Sequence, residues 1–191
     1  MNKYLIIKKI KKIYEEGGNI IRYLKNVSGN HQNTLEDIMI SYDFQAGSYI
    51  KSFANNPNFA NQYCLSIAGI INQLGNINSI LEAGVGEATT LCNVLKNLQC
   101  SPIEVLGFDI SWSRLKFAKE FLQDSNFDNT TLFVGNLFEI PLLDNSIDIV
   151  YTSHSIEPNG GKEEEALREL YRITKNYLIL LEPAFEFAQE D

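Results

Sequence analysis

One stretch of the chain already describes a chemical task by its residue types and spacing: Glu82-Ala83-Gly84-Val85-Gly86-Glu87-Ala88, entered directly from the apolar run that begins at Ser79. Glycines at 84 and 86 remove the Cβ atoms that would hold a small polar ligand away from the backbone. A helix starting immediately afterwards turns unpaired N–H groups toward an anionic part of such a ligand. Asp109 closes a second apolar run, where a carboxylate can accept from both hydroxyls of a ribose or, alternatively, cap the helix that starts near Ser111. Gly135-Asn136-Leu137 and Thr152-Ser153-His154-Ser155-Ile156-Glu157 follow further apolar runs. Within the latter, His154 and Glu157 are groups able to take a proton from a hydroxyl acceptor; His154 can equally be a polar residue bonded to its own loop.

These positions become neighbours if the runs before them are parallel strands. From residue 79 the pattern alternates, with strands expected at Ser79 to Ala83, Ile103 to Phe108, Thr131 to Val134, Ile147 to Tyr151 and Tyr177 to Leu181. The helices between them present Leu91, Val94, Leu95 and Leu98; then Leu115, Ala118 and Leu122, with Ser111 as cap; then Leu167, Leu170, Tyr171 and Ile173 inward over Lys162 to Thr174, with Glu164 and Arg168 outside. This predicts an α/β fold, an open parallel Rossmann-like sheet of about five strands with helices on both faces, whose ligands sit beyond the carboxyl ends of the strands.

Ahead of the sheet, Ile6, Ile7, Ile10, Ile13 and Tyr14 predict an amphipathic helix ended by Gly17-Gly18, its lysine face either a membrane-surface or partner site or simply solvated. Asn26 to Gln32 reads as a polar loop, and Thr34 as the N-cap of a short helix through Ile40. The aromatic stretch Tyr42 to Ile50 is a lid or a packed connector, and Phe59 to Leu74 a long helix stopped by Gly75-Asn76. The chain thus divides into a helical N-terminal extension with a candidate lid, 1–75, and a ligand-binding α/β domain, 76–191.

With 16 basic and 24 acidic side chains among 191 residues, the net charge of −8 argues against nucleic acid as partner. No apolar run approaches the roughly 18 to 20 residues of a membrane span, and the start lacks the pattern of a secretory signal, so a cytoplasmic protein is expected. Cys64, Cys92 and Cys100 lack metal-ligand spacing and sit among apolar neighbours, which predicts buried or idle thiols and no metal site.

A dinucleotide fingerprint would need a third glycine where Thr89 stands, which disfavours a nicotinamide cofactor or another nucleotide-linked enzyme. Acidic-x-Gly-x-Gly followed by a small residue instead resembles motif I of class I S-adenosylmethionine-dependent methyltransferases. Asp109 is similar to that family's ribose-binding acidic residue, Gly135-Asn136-Leu137 with Ile140-Pro141-Leu142 to its Gly-Asp-Ala and Leu-Pro-Phe segments, and Ser146-Ile147-Asp148-Ile149-Val150 to its fourth strand. The resemblance covers residues 77 to 183 and points to the type 11, small-molecule branch. It implies S-adenosylmethionine as cofactor, with the turn of Glu82, Gly84 and Gly86 holding its methionine part, Asp109 the ribose, Asn136 and Leu137 flanking the adenine, and Ile110 and Ser153 as further cofactor-binding residues. Asn136 stands where the family has Asp, so its amide oxygen is the expected acceptor from the adenine amino group. Asp148 is expected to be structural. The loop after the fourth strand lacks the Asn/Asp-Pro-Pro-Tyr/Phe of base methyltransferases, which again disfavours nucleic acid.

That family's sheet ends in an antiparallel hairpin, for which Ala184 to Asp191 is too short. A truncated relative, or a homodimer covering the apolar fifth-strand edge, is therefore expected. An S-adenosylmethionine-binding regulatory protein without turnover is the alternative to an enzyme.

Overall fold

The structure, a computed structural model, describes residues 3–183. Five helices come first: α1 (Lys3–Glu15), α2 (Ile20–Ser28), α3 (Leu35–Gln45), α4 (Ser48–Asn55) and α5 (Pro57–Gln73). Strands and helices then alternate as β1 (Ser79–Ala83), α6 (Thr89–Lys96), β2 (Glu104–Asp109), α7 (Trp112–Asp124), β3 (Thr131–Val134), β4 (Ile147–Ser153), a 3-10 turn at Glu157–Asn159, α8 (Glu163–Ile173) and β5 (Thr174–Leu181). All strand pairs are parallel, in the order β3-β2-β1-β4-β5. The chain moves outward from β1 through β2 to β3 and returns to the other side of β1 with β4, so a crevice opens above the carboxyl ends of β1 and β4.

The central strand β1 is buried along its whole length, as its Ile-Leu run requires with both faces covered. On one face, Ile80, Val105, Ile149 and Tyr151 pack against α5, α6 and α7; on the other, Leu81, Leu106, Phe108 and Val150 pack against α8 and Leu137 and Ile140. Helix α5, grouped with the N-terminal extension by the sequence reading, contributes Cys64, Ile67, Ala68 and Ile71 to the sheet's own core. Helices α1 and α2 instead form a separate small cluster around Ile10, Ile20 and Leu24, with Ile40 and Phe44 of α3 against it. Asp148 does structural duty: its carboxylate accepts from the amides of Asn78 and Ser79 and pairs with Lys175 at 3.0 Å, and these partners hold it below the usual carboxylate range.

Several expectations are corrected. Helix α3 runs past Ile40 to Gln45 and takes in the start of the aromatic stretch, and β2 begins at Glu104, leaving Ile103 82% exposed. Asn26 to Ser28 continues α2, which Asn19 caps by accepting the Arg22 amide at 2.9 Å. Strands β4 and β5 extend to Ser153 and back to Thr174, because parallel pairing with each other fixes residues outside the apolar runs. Tyr171 is 77% exposed, since the inward stripe of α8 is Ala166, Leu170 and Ile173 at helical spacing and Tyr171 lies a further 100° or so around the helix. No helix among the described residues is long and apolar enough to cross a membrane. The expectation for the segment Ala184 to Asp191 lies outside the described residues.

Candidate functional site

The glycine turn hangs over the end of β2. The amides of Gly84 and Val85 both donate to the Phe108 carbonyl, at 2.9 and 2.8 Å, and the Gly86 amide donates to Asp109 Oδ2 at 2.9 Å. Gly84 has φ +75°, and a Cβ there would collide with the Ser155 side chain, so both conformation and close approach demand glycine. Glu82 is fully buried beneath the turn, where its carboxylate accepts from Tyr151 Oη at 3.0 Å and from the Leu91 amide. Burial pushes its carboxyl up to about 8, a rise that the two hydrogen bonds only partly oppose. Glu87, buried in the same turn, caps α4: its two oxygens accept the Gly47 and Ile50 amides, each at 2.9 Å.

Asp109 is buried at the switch point, with Oδ1 accepting the Ser111 amide at 2.8 Å; burial raises its carboxyl above the ordinary value despite the nearby Arg114. The cap of α7 is Ser111 itself, whose Oγ accepts the Arg114 amide at 3.1 Å and donates to Asp43 Oδ1 at 2.5 Å. The Arg114 guanidinium lies between the rings of Tyr42 and Tyr49, 4.9 and 4.4 Å from their centroids. Asn136 turns its Oδ1 to the Phe138 amide at 2.6 Å, so this oxygen, expected to face adenine, already serves its own turn.

In the loop after β4, Ser153 Oγ hydrogen-bonds Tyr63 Oη, and the His154 ring stacks against the Tyr63 ring with centroids 6.1 Å apart. His154 is exposed and left-handed at φ +53°, with its amide donating to the Leu181 carbonyl at 3.0 Å. Glu182 moulds the rest of the loop by accepting the amides of Ser155, Ile156 and Glu157 at 3.0, 3.2 and 3.4 Å. Two cavities meet at this loop. A large one of about 640 Å³ lies between the glycine turn and the helices α4 and α5, and a small one of about 60 Å³ lies over Asp109, Asn136 and Leu137 beneath Leu35, Ile38 and Tyr42 of α3. Glu82, Gly86 and Ser153 line the large cavity, Ile110 the small one, and Gly84 and His154 both. Glu157 is exposed and lines neither.

Residues 80–177, just over half of the chain, match the family model described as "Methyltransferase domain". The chain belongs to the methyltransferase domain family. Over 71 residues it is 35% identical to a demethylmenaquinone methyltransferase of Listeria welshimeri, a match covering 37% of this chain and 30% of the relative. Over 109 residues it is 33% identical to the ubiquinone/menaquinone biosynthesis C-methyltransferase UbiE of Rickettsia typhi, covering 55% and 44%. The chain thus spans less than half the length of these curated relatives. Its fold is shared with the crystal structure of mmp1179 of Methanococcus maripaludis, described as a "putative s-adenosyl-l-methionine-dependent methyltransferase", at a TM-score of 0.58 and 23% identity over 70% of this chain and 61% of that one.

S-adenosylmethionine is the cofactor of this family, and the crevice of this methyltransferase domain fits it chemically. Ser155 Oγ, against Gly84 and lining the small cavity, is buried with no hydrogen-bond partner, and each Asp109 oxygen keeps a lone pair after its amide bond. By volume, the small cavity holds a few waters at roughly 10–15 Å³ each, so a nucleoside enters only if α3 withdraws. Sequence reasoning missed Glu87, Arg114, Tyr63 and Glu182. The signal available was local for Glu87, an acidic residue inside a glycine turn; the other three are placed by contacts distant in sequence.

Proposed function

We propose that this chain is an S-adenosylmethionine-dependent methyltransferase acting on a small-molecule acceptor. The observation that carries the reading is the convergence of the glycine turn, Asp109 and the large aromatic-lined cavity at one switch point. When bound, the cofactor supplies a methyl group already activated by a sulfonium. The protein's own task is then to hold an acceptor in line and exclude water, which orientation alone makes effective. Asp109 holds the ribose, with Ile110, Asn136 and Leu137 around the base, and Glu82, Gly84, Gly86 and Ser153 border the methionine part. Tyr42, Tyr49, Phe53 and Tyr63 wall the large cavity, which suits a planar, ring-bearing acceptor such as the quinone precursors named for the curated relatives.

Where the acceptor loses a proton, His154 takes it, its ring set by Tyr63 and its backbone by Leu181. Glu157, outside both cavities, has the weaker claim. Calorimetry with S-adenosylmethionine, S-adenosylhomocysteine and NAD tests the cofactor, and product formation on an acceptor panel tests turnover. His154→Ala should lower turnover about 100-fold with cofactor affinity unchanged; unchanged turnover on the true acceptor removes His154 from the chemistry.

A binding protein without turnover is the second reading, favoured by the Asn136 oxygen being occupied and by the roof over Asp109. We further infer a cytoplasmic protein without a nucleic-acid partner, and a homodimer through β5, whose Tyr177 and Leu180 are nearly half exposed. Size-exclusion chromatography tests the dimer, which a stable monomer would rule out.

A further inference from the structure

We propose that the Arg114 guanidinium is the fork of a carboxylate-binding subsite where the two cavities meet. Its side chain is more than nine-tenths buried, yet Nε has no hydrogen-bond partner. Glu87 is the nearest anion and does not saturate it: Nε lies 3.8 Å from Oε1, beyond hydrogen-bond reach, and both Glu87 oxygens already accept the amides that begin α4. Tyr42 and Tyr49 grip the guanidinium through their ring faces, which fixes its plane without using its N–H groups. A Cβ on Gly86 would stand 3.0 Å from Nη2, so the guanidinium rests directly over the cofactor turn. It lines both cavities, at the place where they meet.

A planar, pre-oriented guanidinium whose Nε makes no hydrogen bond selects a group that accepts two parallel hydrogen bonds, and a carboxylate does so. Two sources share that chemistry: the amino-acid end of the cofactor, or an acid function on the acceptor. This subsite rests on the cofactor reading above, and Arg114 is a binding residue for either source.

The test uses the full chain in calorimetry with S-adenosylhomocysteine and with 5′-methylthioadenosine, which keeps the nucleoside and lacks the carboxylate. Benzoate and benzyl alcohol are then titrated into chain saturated with S-adenosylhomocysteine. If the cofactor supplies the carboxylate, Arg114→Met weakens S-adenosylhomocysteine about ten-fold or more and leaves 5′-methylthioadenosine unchanged. If the acceptor supplies it, both nucleosides bind the variant as before, and benzoate, bound by wild type in preference to benzyl alcohol, no longer binds. An equal loss of both nucleosides, or no change in any titration, overturns the subsite and leaves Arg114 as a packing residue. Arg114→Lys, which keeps the charge but not the fork, is run alongside in case the Met variant does not fold; it should show the same selective loss, and wild-type binding by it overturns the proposal. Wild-type chain binding neither nucleoside sinks the cofactor reading itself, a failure distinct from the others.

Discussion

The two cavities share Gly84, Tyr42, Arg114 and His154, yet one holds about 640 Å³ and the other about 60 Å³. The difference lies in which helix stands above each. On the large side, α4 is fastened at its N-terminus by Glu87 but leaves a void before α5. On the small side, α3 lies flat over Asp109, tied down by Asp43 to Ser111 and, just ahead of it, by Asn33 Nδ2 to the Pro158 carbonyl at 2.9 Å. A turn built for close approach is thus open toward the proposed acceptor and covered toward the proposed nucleoside. Beside these two polar ties, each worth about 1 kcal/mol, the buried Ile38 and the Tyr42 ring against Arg114 hold the cover, and a nucleoside must offset their loss to lift it.

The comparison breaks most completely at the residue common to both sides. Gly84→Ala should abolish cofactor binding and cost about 1–3 kcal/mol of stability, because an alanine is forced left-handed against Ser155; calorimetry and a thermal melt check both, and near-wild-type affinity would mean that nothing approaches the turn. Next is the floor of the large side. The Glu82 carboxyl stands at about 8 in the folded chain against an ordinary 4.5, so the stability it contributes is fully present below about 4.5 and is lost as pH rises through about 8. The loss is on the order of a few kcal/mol. Melting temperature against pH should fall over that window in wild type and flatten in Glu82→Gln; parallel slopes would locate the penalty elsewhere.

The smallest effects separate the two helices. Asp43→Ala removes the acceptor of the Ser111 hydroxyl, costs about 1 kcal/mol and should speed S-adenosylhomocysteine association in stopped flow. Glu87→Gln costs a similar amount, about 1 kcal/mol, and should accelerate hydrogen exchange at Gly47 and Ile50 without changing that association rate. Equal effects on association would mean that both helices gate the same entrance.

The sheet was legible because its signals are local. Ser79–Ala83 and Thr131–Val134 are apolar runs bounded by turn residues, and they are strands with those bounds. Thr34 announced α3, and the structure adds the reciprocal Asp37 contact of a capping box. The missing turns of α2 show the limit of such reading, since Asn26 and Ser28 are polar and their helix is decided by packing of Ile20 and Leu24 against α1 and α3. Within the crevice, the glycines and Asp109 could be named from spacing, whereas Arg114 could not. A charged residue in a first helical turn reads as solvated, and its burial is imposed by two tyrosines from helices far earlier in the chain.

The three amides gathered by Glu182 have a consequence for biosynthesis. The glycine turn and Asp109 precede the β4 loop in the chain, but that loop takes its shape from a residue just beyond β5. During synthesis from the N-terminus, the loop over Ser155, Ile156 and Glu157 therefore stays unshaped until Glu182 has emerged.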